Sequence, residues 1–348
     1  MFILRNLLKK RSRLFAIIIA LSMLCGLTGC GGGDILELNL AHFWPATHPI
    51  ETELVLPWIS AVEEATEGRV KITSYPGETL IVSAEIYEGV KNGVADIGLS
   101  CFAYTRGQFP VLEVFELPGI VYNDSAAATK IAWEGIQELN PNEIRDTTLM
   151  MVITTGPGHL FTKNPVKNIN DLKGSEIRAT GLSASTLQAL GAVPVAMPQA
   201  EAWEALDKGI VKGNLGPTEI LKGWNQAEVT EYITLTPFLY NTLFFFTMNT
   251  DKWNKISSGD QKKILEINDK FFNEVACSLW DRQNEAAYSY AVNEKGMKVI
   301  ELTAEEKELW LRLVKPVQDD FVSKIDSQGL NGRDILDIVL RLSDKYSQ

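Results

Sequence analysis

The stretch from residue 170 to residue 217 constrains the fold of this chain most, because it reads as two strand–helix units in succession. A short β-type run carries Arg178 between Ile177 and Ala179, and a helix of small residues follows it. A second short strand and a second helix come next, and the glycine-rich segment 213–217 is predicted to be a turn. The pattern predicts an α/β protein in which Arg178 lies on a strand and faces a cleft.

The rest of the chain continues this alternation of strands and helices. Without its amino-terminal segment the chain still has about 315 residues, which is more than a single core usually supports, so we expect two lobes. The Gly-Pro-Gly cluster at 156–158 predicts the first crossing between them. Strands are predicted at 36–43, 70–75, 97–101, 150–154 and 243–249, and helices at 49–66, 84–92, 125–139, 260–293, 304–327 and 333–345.

The amino terminus predicts export and a lipid anchor. Five basic residues precede an apolar run at 14–24 that is too short to span a membrane. The sequence Leu-Thr-Gly-Cys at 27–30 then indicates a lipoprotein signal peptide over residues 1–29, with lipid on Cys30. Residues 30–34 would be a lipidated glycine-rich tether. An ordinary secretory signal cut nearby, or an uncleaved anchor, is the alternative.

Charge and composition exclude several functions. The formal charge is −11, and removal of the five basic signal residues leaves 28 basic against 44 acidic residues, or about −16. Such a balance argues against nucleic-acid binding. The three histidines have no partners at metal-ligand spacing, and no nucleophile or nucleotide-binding motif is present, so we expect no metal, no cofactor and no enzyme. Cys101 and Cys277 are expected to be buried thiols rather than a disulfide, although pairing stays open.

Several further segments carry a family resemblance. The segments 63–72, 75–80, 89–98 and 246–249, the last with Trp253, follow one another in a characteristic order around the 170–217 stretch. From about Leu38 to about Ser323, the chain resembles the DctP-type substrate-binding proteins of tripartite ATP-independent periplasmic (TRAP) transporters. This resemblance implies a two-lobed periplasmic-binding-protein fold of type II-like topology, with mixed sheets, hinge-crossing strands and a long helix spanning both lobes.

The resemblance also implies a division of the chain into lobes. Lobe I would comprise residues 35–155 and 244–282, and lobe II residues 156–243 and 283–325. A C-terminal helix would occupy residues 326–348.

The resemblance places the ligand's carboxylate on Arg178, whose planar guanidinium can donate two parallel hydrogen bonds to it. A structural ion pair of Arg178 with Asp171 or Glu176 is the alternative. Where related receptors often place a polar side chain in the cleft, this chain has Leu215 and Gly216. Where a second basic residue is common, it has His159. These departures argue against a dicarboxylate or a sialic-acid-like ligand. The remaining ligand-binding positions implied by the resemblance are Trp44, Phe102, Tyr104, Gln199 and Tyr240.

Aromatic residues are frequent in the segments expected to face the cleft. About three of seven are expected to contact the ligand, while Phe244 and its two neighbours are expected to be strand core. A ligand with an apolar or aromatic body would fit such walls. The seven candidates are Trp44, Phe102, Tyr104, Trp203, Trp224, Phe238 and Tyr240.

The function implied is that of an extracytoplasmic solute receptor, held at the membrane by its lipid. It would bind a small organic acid between its lobes and deliver it to the small and large membrane permease subunits of a TRAP transporter. The alternatives are a lipoprotein that serves an ATP-driven importer and one that serves a signalling receptor.

Overall fold

The computed structural model describes residues 35–346, and the predicted signal peptide, Cys30 and the whole predicted tether lie outside this range. One lobe is built on a five-stranded sheet with the order β2-β1-β3-β10-β4. Strands β1 and β3 are parallel, whereas β10 is antiparallel to both β3 and β4. The five strands are β1 (Leu36–His42), β2 (Val70–Tyr75), β3 (Ile97–Cys101), β4 (Thr147–Thr154) and β10 (Leu243–Asn249).

The other lobe is built on a six-stranded sheet with the order β11-β9-β5-β8-β6-β7. Strand β6 is parallel to both of its neighbours, and β5 is antiparallel to both of its own. The six strands are β5 (His159–Thr162), β6 (Glu176–Ala179), β7 (Val193–Ala196), β8 (Gly213–Gly216), β9 (Tyr232–Leu235) and β11 (Lys298–Glu301). Strand β8 corrects the predicted turn at 213–217, because its backbone pairs with β5 on one side and β6 on the other.

Two chain segments cross between the sheets side by side. The Thr155 amide donates to the Thr242 carbonyl (3.1 Å), and the Gly158 amide donates to the Tyr240 carbonyl (3.0 Å). Gly156 has a φ of +70°, and a Cβ there would lie 2.7 Å from the Ser125 nitrogen. The glycine-rich cluster therefore lies at the crossing, where a side chain would collide with the neighbouring backbone.

In the part of the chain that the structure describes, twelve α-helices surround the sheets. Short 3₁₀ turns lie at Ser83–Glu85, Phe102–Tyr104, Leu112–Glu116, Asn142–Ile144 and Gln226–Glu228. The helices are α1 (Leu56–Ala65), α2 (Ile86–Lys91), α3 (Ser125–Leu139), α4 (Ile169–Leu172), α5 (Ser183–Ala189), α6 (Gln199–Asp207), α7 (Ile220–Gly223), α8 (Thr250–Trp253), α9 (Ser258–Phe271), α10 (Cys277–Ser289), α11 (Ala304–Ser327) and α12 (Gly332–Tyr346).

Helices α9 and α10 form the long helix that spans both lobes. A π-helical segment, Phe272–Ala276, joins them without interruption, and a second, Tyr290–Glu294, extends α10. In the first lobe, Trp58 Nε1 donates to Asn268 Oδ1 (2.8 Å). Further along the same helix, Asn284 Oδ1 accepts from the Glu219 amide of the second lobe (2.9 Å). The predicted spanning helix is therefore confirmed.

Helix α11 also contacts both cores. Its first half contributes Trp310 and Val314 to the core of the second lobe, and its second half contributes Phe321 and Ile325 to that of the first. The predicted bounds of the lobes and of the C-terminal helix stay predictions. None of the helices in residues 35–346 is long and apolar enough to cross a membrane.

Candidate functional site

A cavity with a volume of about 340 Å³ lies between the two lobes. Both lobes and both crossing segments contribute to its wall. The residues that line it are Phe43, Trp44, Cys101, Tyr104, Thr155, Arg178, Thr180, Gln199, Pro217, Glu219, Ile220, Trp224, Tyr240, Thr242, Phe244 and Trp280.

Arg178 reaches the cavity because side chains alternate along β6. Ile177 and Ala179 point into the core of the second lobe, so Arg178 lies on the opposite face. Asn214 is its register partner on β8, and the alternation of that strand places Asn214 on the same face.

The guanidinium of Arg178 has only neutral hydrogen-bond acceptors around it. Its Nε donates to the Met197 carbonyl (3.1 Å) and its Nη1 to Asn214 Oδ1 (3.4 Å), and the residue is 2% exposed. No ion pair within residues 35–346 includes Arg178: the Asp171 carboxylate instead accepts from Asn168 in a helix cap, and Glu176 is exposed. A buried charge without a counter-ion is unfavourable, so a bound anion would relieve that cost.

Aromatic rings form most of the wall. Phe43 and Trp44, which directly follow β1, are stacked with ring centroids 3.8 Å apart. The Phe43 ring lies 5.4 Å from that of Tyr104 and 6.1 Å from that of Trp224. On the floor of the first lobe, Phe244 stacks on Trp280 of the long helix at 5.0 Å. Such walls suit a flat apolar body.

Three buried hydrogen-bond donors in the wall have no partner among the described residues. They are Gln199 Nε2, Trp224 Nε1 and Trp280 Nε1. Unpaired buried donors cost free energy in the unliganded protein, and acceptor atoms on a ligand would satisfy them.

Two hydrogen bonds, one within the wall and one between a wall residue and His48 behind it, join the lobes. The Gln199 amide donates to the Tyr104 hydroxyl oxygen (3.0 Å). His48 Nδ1 accepts from the Ile50 amide (3.1 Å), which assigns the ring proton to Nε2, and this atom donates to Glu219 Oε2 (3.2 Å). The molecule is therefore in a closed arrangement.

Burial raises the pKa of Tyr104 and of Tyr240, and the charge of Arg178 lowers both by less. Both phenols are therefore neutral near pH 7. The hydroxyl of Tyr104 therefore keeps its proton and can donate a hydrogen bond to a ligand.

Five of the residues proposed from sequence surround this cavity: Arg178, Trp44, Tyr104, Gln199 and Tyr240. Trp224, one of the seven aromatic candidates, also lines it. That these side chains bind a ligand stays a prediction.

Phe102 and His159 do not line the cavity. Phe102 packs into the first core against Phe109 and Phe245, because the 3₁₀ turn Phe102–Tyr104 sends the two aromatic side chains in different directions. His159 Nδ1 accepts from the Thr236 amide (3.1 Å), and burial lowers the pKa of His159 to about 4. It is a neutral structural side chain rather than the ligand contact that the sequence suggested.

Leu215 and Gly216 are absent from the wall as well. Leu215 points into the second core, since it lies on the face of β8 opposite to Asn214. Gly216 pairs with His159 across the sheet. Of the other aromatic candidates, Phe238 is core and Trp203 lies on the surface of α6.

Sequence reasoning missed several wall residues. Phe244 was expected in the strand core, yet it lines the cavity at the start of β10. Phe43 could have been found from its position beside Trp44, directly after β1. Glu219 and Trp280 carry no local signal, because they come from a short loop and from the middle of the long helix.

Comparison with known proteins identifies the family. The family described as "Bacterial extracellular solute-binding protein, family 7" (DctP) matches residues 40–325. A TRAP periplasmic solute-binding protein from Desulfovibrio salexigens, solved as an open complex, is 32% identical, with 90% of this chain and 97% of that one covered and a TM-score of 0.78.

Two further solved structures are similar. A marine-metagenome TRAP solute-binding protein specific for aromatic acid ligands, in complex with 3-hydroxybenzoate, is 27% identical, with 91% and 100% of the chains covered and a TM-score of 0.85. One from Rhodoferax ferrireducens, with copurified benzoate, is 26% identical, with 90% and 98% covered and a TM-score of 0.82. The fold, the interlobe cavity and the family match together show that this chain belongs to the DctP-type substrate-binding proteins of TRAP transporters.

Proposed function

We propose that this protein is the receptor of a TRAP transporter for a small carboxylic acid with an aromatic or apolar body. The carboxylate binds Arg178, and the body lies between the aromatic walls of the cavity. The observation that carries this proposal is the buried guanidinium of Arg178, which has no carboxylate partner among the described residues. A ligand carboxylate would supply the missing charge through charge-assisted hydrogen bonds.

The composition of the wall supports an aromatic or apolar ligand body. Rings line the cavity from both lobes, and Gln199 Nε2 offers a further donor near the Arg178 partner Met197. The two similar receptors with aromatic acids in their structures, at 27% and 26% identity, support the same ligand class.

Binding and closure are coupled in this proposal. The open receptor binds the acid on one lobe, and the second lobe then closes over it. The contacts Tyr104–Gln199 and His48–Glu219 exist only when the lobes meet, and so does any ligand contact that joins Arg178 to the rings of the first lobe. Ligand contacts present only in the closed state would shift the population towards it.

The closed receptor then delivers the acid to the small and large permease subunits. A lipid on Cys30 would hold it at the extracytoplasmic face of the membrane. Mass spectrometry of the cell-derived protein tests the anchor, because a lipidated Cys30 adds the mass of the acyl chains, and a Cys30→Ala variant would lack that added mass. Service to an ATP-driven importer or to a signalling receptor is the alternative, and uptake that survives deletion of the receptor would favour the signalling role.

A thermal-shift screen of the purified protein tests the ligand class. The panel contains aromatic and branched monocarboxylates, dicarboxylates and acid sugars. A ligand at 100 times its dissociation constant stabilises the folded state by about 2.7 kcal/mol, which gives a clear shift. Stabilisation by aromatic monocarboxylates is expected. Stabilisation by dicarboxylates or acid sugars alone would contradict the proposed ligand class.

A further inference from the structure

Glu219 is a buried carboxylate in the wall of the cavity, away from Arg178. A series of contacts along the wall links Arg178 to Glu219. Near Arg178, the Tyr104 hydroxyl oxygen accepts a hydrogen bond from the Gln199 amide. The Phe43 ring then contacts both Tyr104 and Trp224. Beyond Trp224, whose ring centroid is 6.2 Å from that of His48, Glu219 accepts from His48 Nε2. The cavity wall therefore carries a cationic and an anionic side chain, which are linked to each other through a series of aromatic rings.

The carboxylate of Glu219 has spare hydrogen-bonding capacity. Within the described residues its only side-chain partner is His48, through Oε2, and the residue is 3% exposed. An ionised carboxylate offers about four acceptor sites, so most of them are unused here. A buried anion with one hydrogen bond is costly, and a donor group on the ligand would reduce that cost.

Two unpaired donors lie in the same part of the wall. Trp224 follows Glu219 by five residues, and Trp280 is one helical turn from Asn284, which accepts from the Glu219 amide. The indole N–H groups of both tryptophans have no hydrogen-bond partner within residues 35–346. A ligand group at this end thus meets donors as well as an acceptor.

A hydroxyl group fits this combination best. It can accept from an indole N–H and donate to the Glu219 carboxylate at the same time. A second carboxylate would be repelled by Glu219, and an ammonium group has no lone pair with which to accept from an indole.

We infer that Glu219 is a specificity-determining residue that accepts a hydrogen bond from a ligand hydroxyl, and that the substrates are hydroxylated aromatic carboxylic acids. This inference rests on the proposed function, since it takes the carboxylate at Arg178 as the other anchor of the ligand. The hydroxyl and the carboxylate then fix both ends of the ring.

Calorimetric titration of matched acids tests the inference. Benzoate is compared with 2-, 3- and 4-hydroxybenzoate, and phenylacetate with its ring-hydroxylated isomers, on the wild-type protein. A hydrogen bond to a charged acceptor predicts that at least one hydroxylated isomer binds about ten- to a hundredfold more tightly than its parent acid. This comparison needs no variant and therefore no assumption about the folding of one.

The Glu219→Gln variant then assigns the preference to its residue. The amide oxygen can still accept from His48, but it is uncharged, so the ratio of the affinities for the hydroxylated and the parent acid should fall most of the way towards one. Glu228→Gln is the matched control on the same lobe, because Glu228 is a half-exposed acid paired with Lys295 outside the cavity. It should leave the preference intact.

The outcomes separate the inference from the proposed function. The inference is overturned if hydroxylated and parent acids bind equally well, or if the hydroxyl preference survives in Glu219→Gln. The proposed function as a carboxylate receptor still holds in that case, provided that benzoate binds and that its binding depends on Arg178. Binding of only non-aromatic carboxylates also overturns it. If no carboxylate binds at all, the proposed function and this inference fail together.

Discussion

Replacement of Arg178 by methionine is the most informative perturbation of the site. Methionine keeps much of the length of the side chain but removes the charge and all five N–H donors. The proposed function then predicts opposite effects on ligand binding and on the stability of the unliganded protein, because Arg178 has a suitable partner only when a carboxylate is present.

The magnitudes follow from the contacts of Arg178. In the unliganded protein the variant loses two hydrogen bonds to neutral acceptors, about 1 kcal/mol each, and is relieved of a buried charge whose desolvation costs several kcal/mol. Its melting temperature should therefore be unchanged or higher. In the complex, the ligand carboxylate would stay buried without its partner, at a cost of about 3–5 kcal/mol. The affinity should fall by two to nearly four orders of magnitude, or about 150- to 5000-fold.

Calorimetry with the best acid from the screen measures the affinity, and thermal melts with and without that acid measure the stability. Arg341→Met is the matched control, since Arg341 forms a half-exposed ion pair with Glu138 outside the cavity and should leave the affinity unchanged. Wild-type affinity in Arg178→Met would refute the assignment of the carboxylate. A large loss of stability without ligand would mean that the buried guanidinium is a structural requirement of the second lobe.

Three further predictions concern the crossing and two buried titratable groups. Gly156→Ala should lower the free energy of unfolding in urea by about 1–3 kcal/mol, because φ is +70° and the new Cβ would collide with the Ser125 backbone. Gly296→Ala is the control: Gly296 has the same φ but open space around it, so the loss of stability should be smaller. Burial lowers the pKa of His159 to about 4, so the unfolded state binds a proton that the folded state does not. The free energy of unfolding should therefore fall as the pH drops from about 6.5 to 4, and His159→Gln should remove up to about 3 kcal/mol of this decrease. An unchanged pH profile in the variant would contradict this explanation. Burial raises the pKa of Glu116 to about 8, so here the folded state binds the proton more tightly, and the free energy of unfolding should decline as the pH rises from 4.5 to 8. Glu116→Gln still accepts from the Leu243 amide and should flatten that decline. A decline as steep as that of the wild type would disprove the explanation.

Much of the fold follows from local sequence. The strands at 70–75, 97–101 and 243–249 and the helices at 125–139 and 304–327 have the predicted bounds, because β-branched and aromatic runs and clear caps mark them. Asp124, for example, accepts from the Ala127 amide at the start of α3. The glycine-rich segment 213–217 misled the prediction, since a glycine in a strand looks like a turn when the neighbouring strands are unknown.

The site was predictable where one residue dominates the chemistry. Arg178, between two core residues on a short strand, could be assigned to the open face from strand alternation alone. Phe102 and Leu215 show the limit of that reasoning, because an error of one residue in a strand or turn exchanges a cavity position for a core position. Asn214, next to Leu215, lies on the same face of the sheet as Arg178 and accepts a hydrogen bond from its guanidinium.

The sequence by itself determined the family, the alternation of strands and helices, and a cationic residue on a cavity-facing strand. Local propensity and residue order carry all three. Only the tertiary structure decided that Trp280 of the long helix and Glu219 of a short loop lie in the same cavity wall as Phe43. Their meeting depends on the packing of two lobes across a crossing, and contacts between residues so distant in sequence leave no pattern in either segment alone.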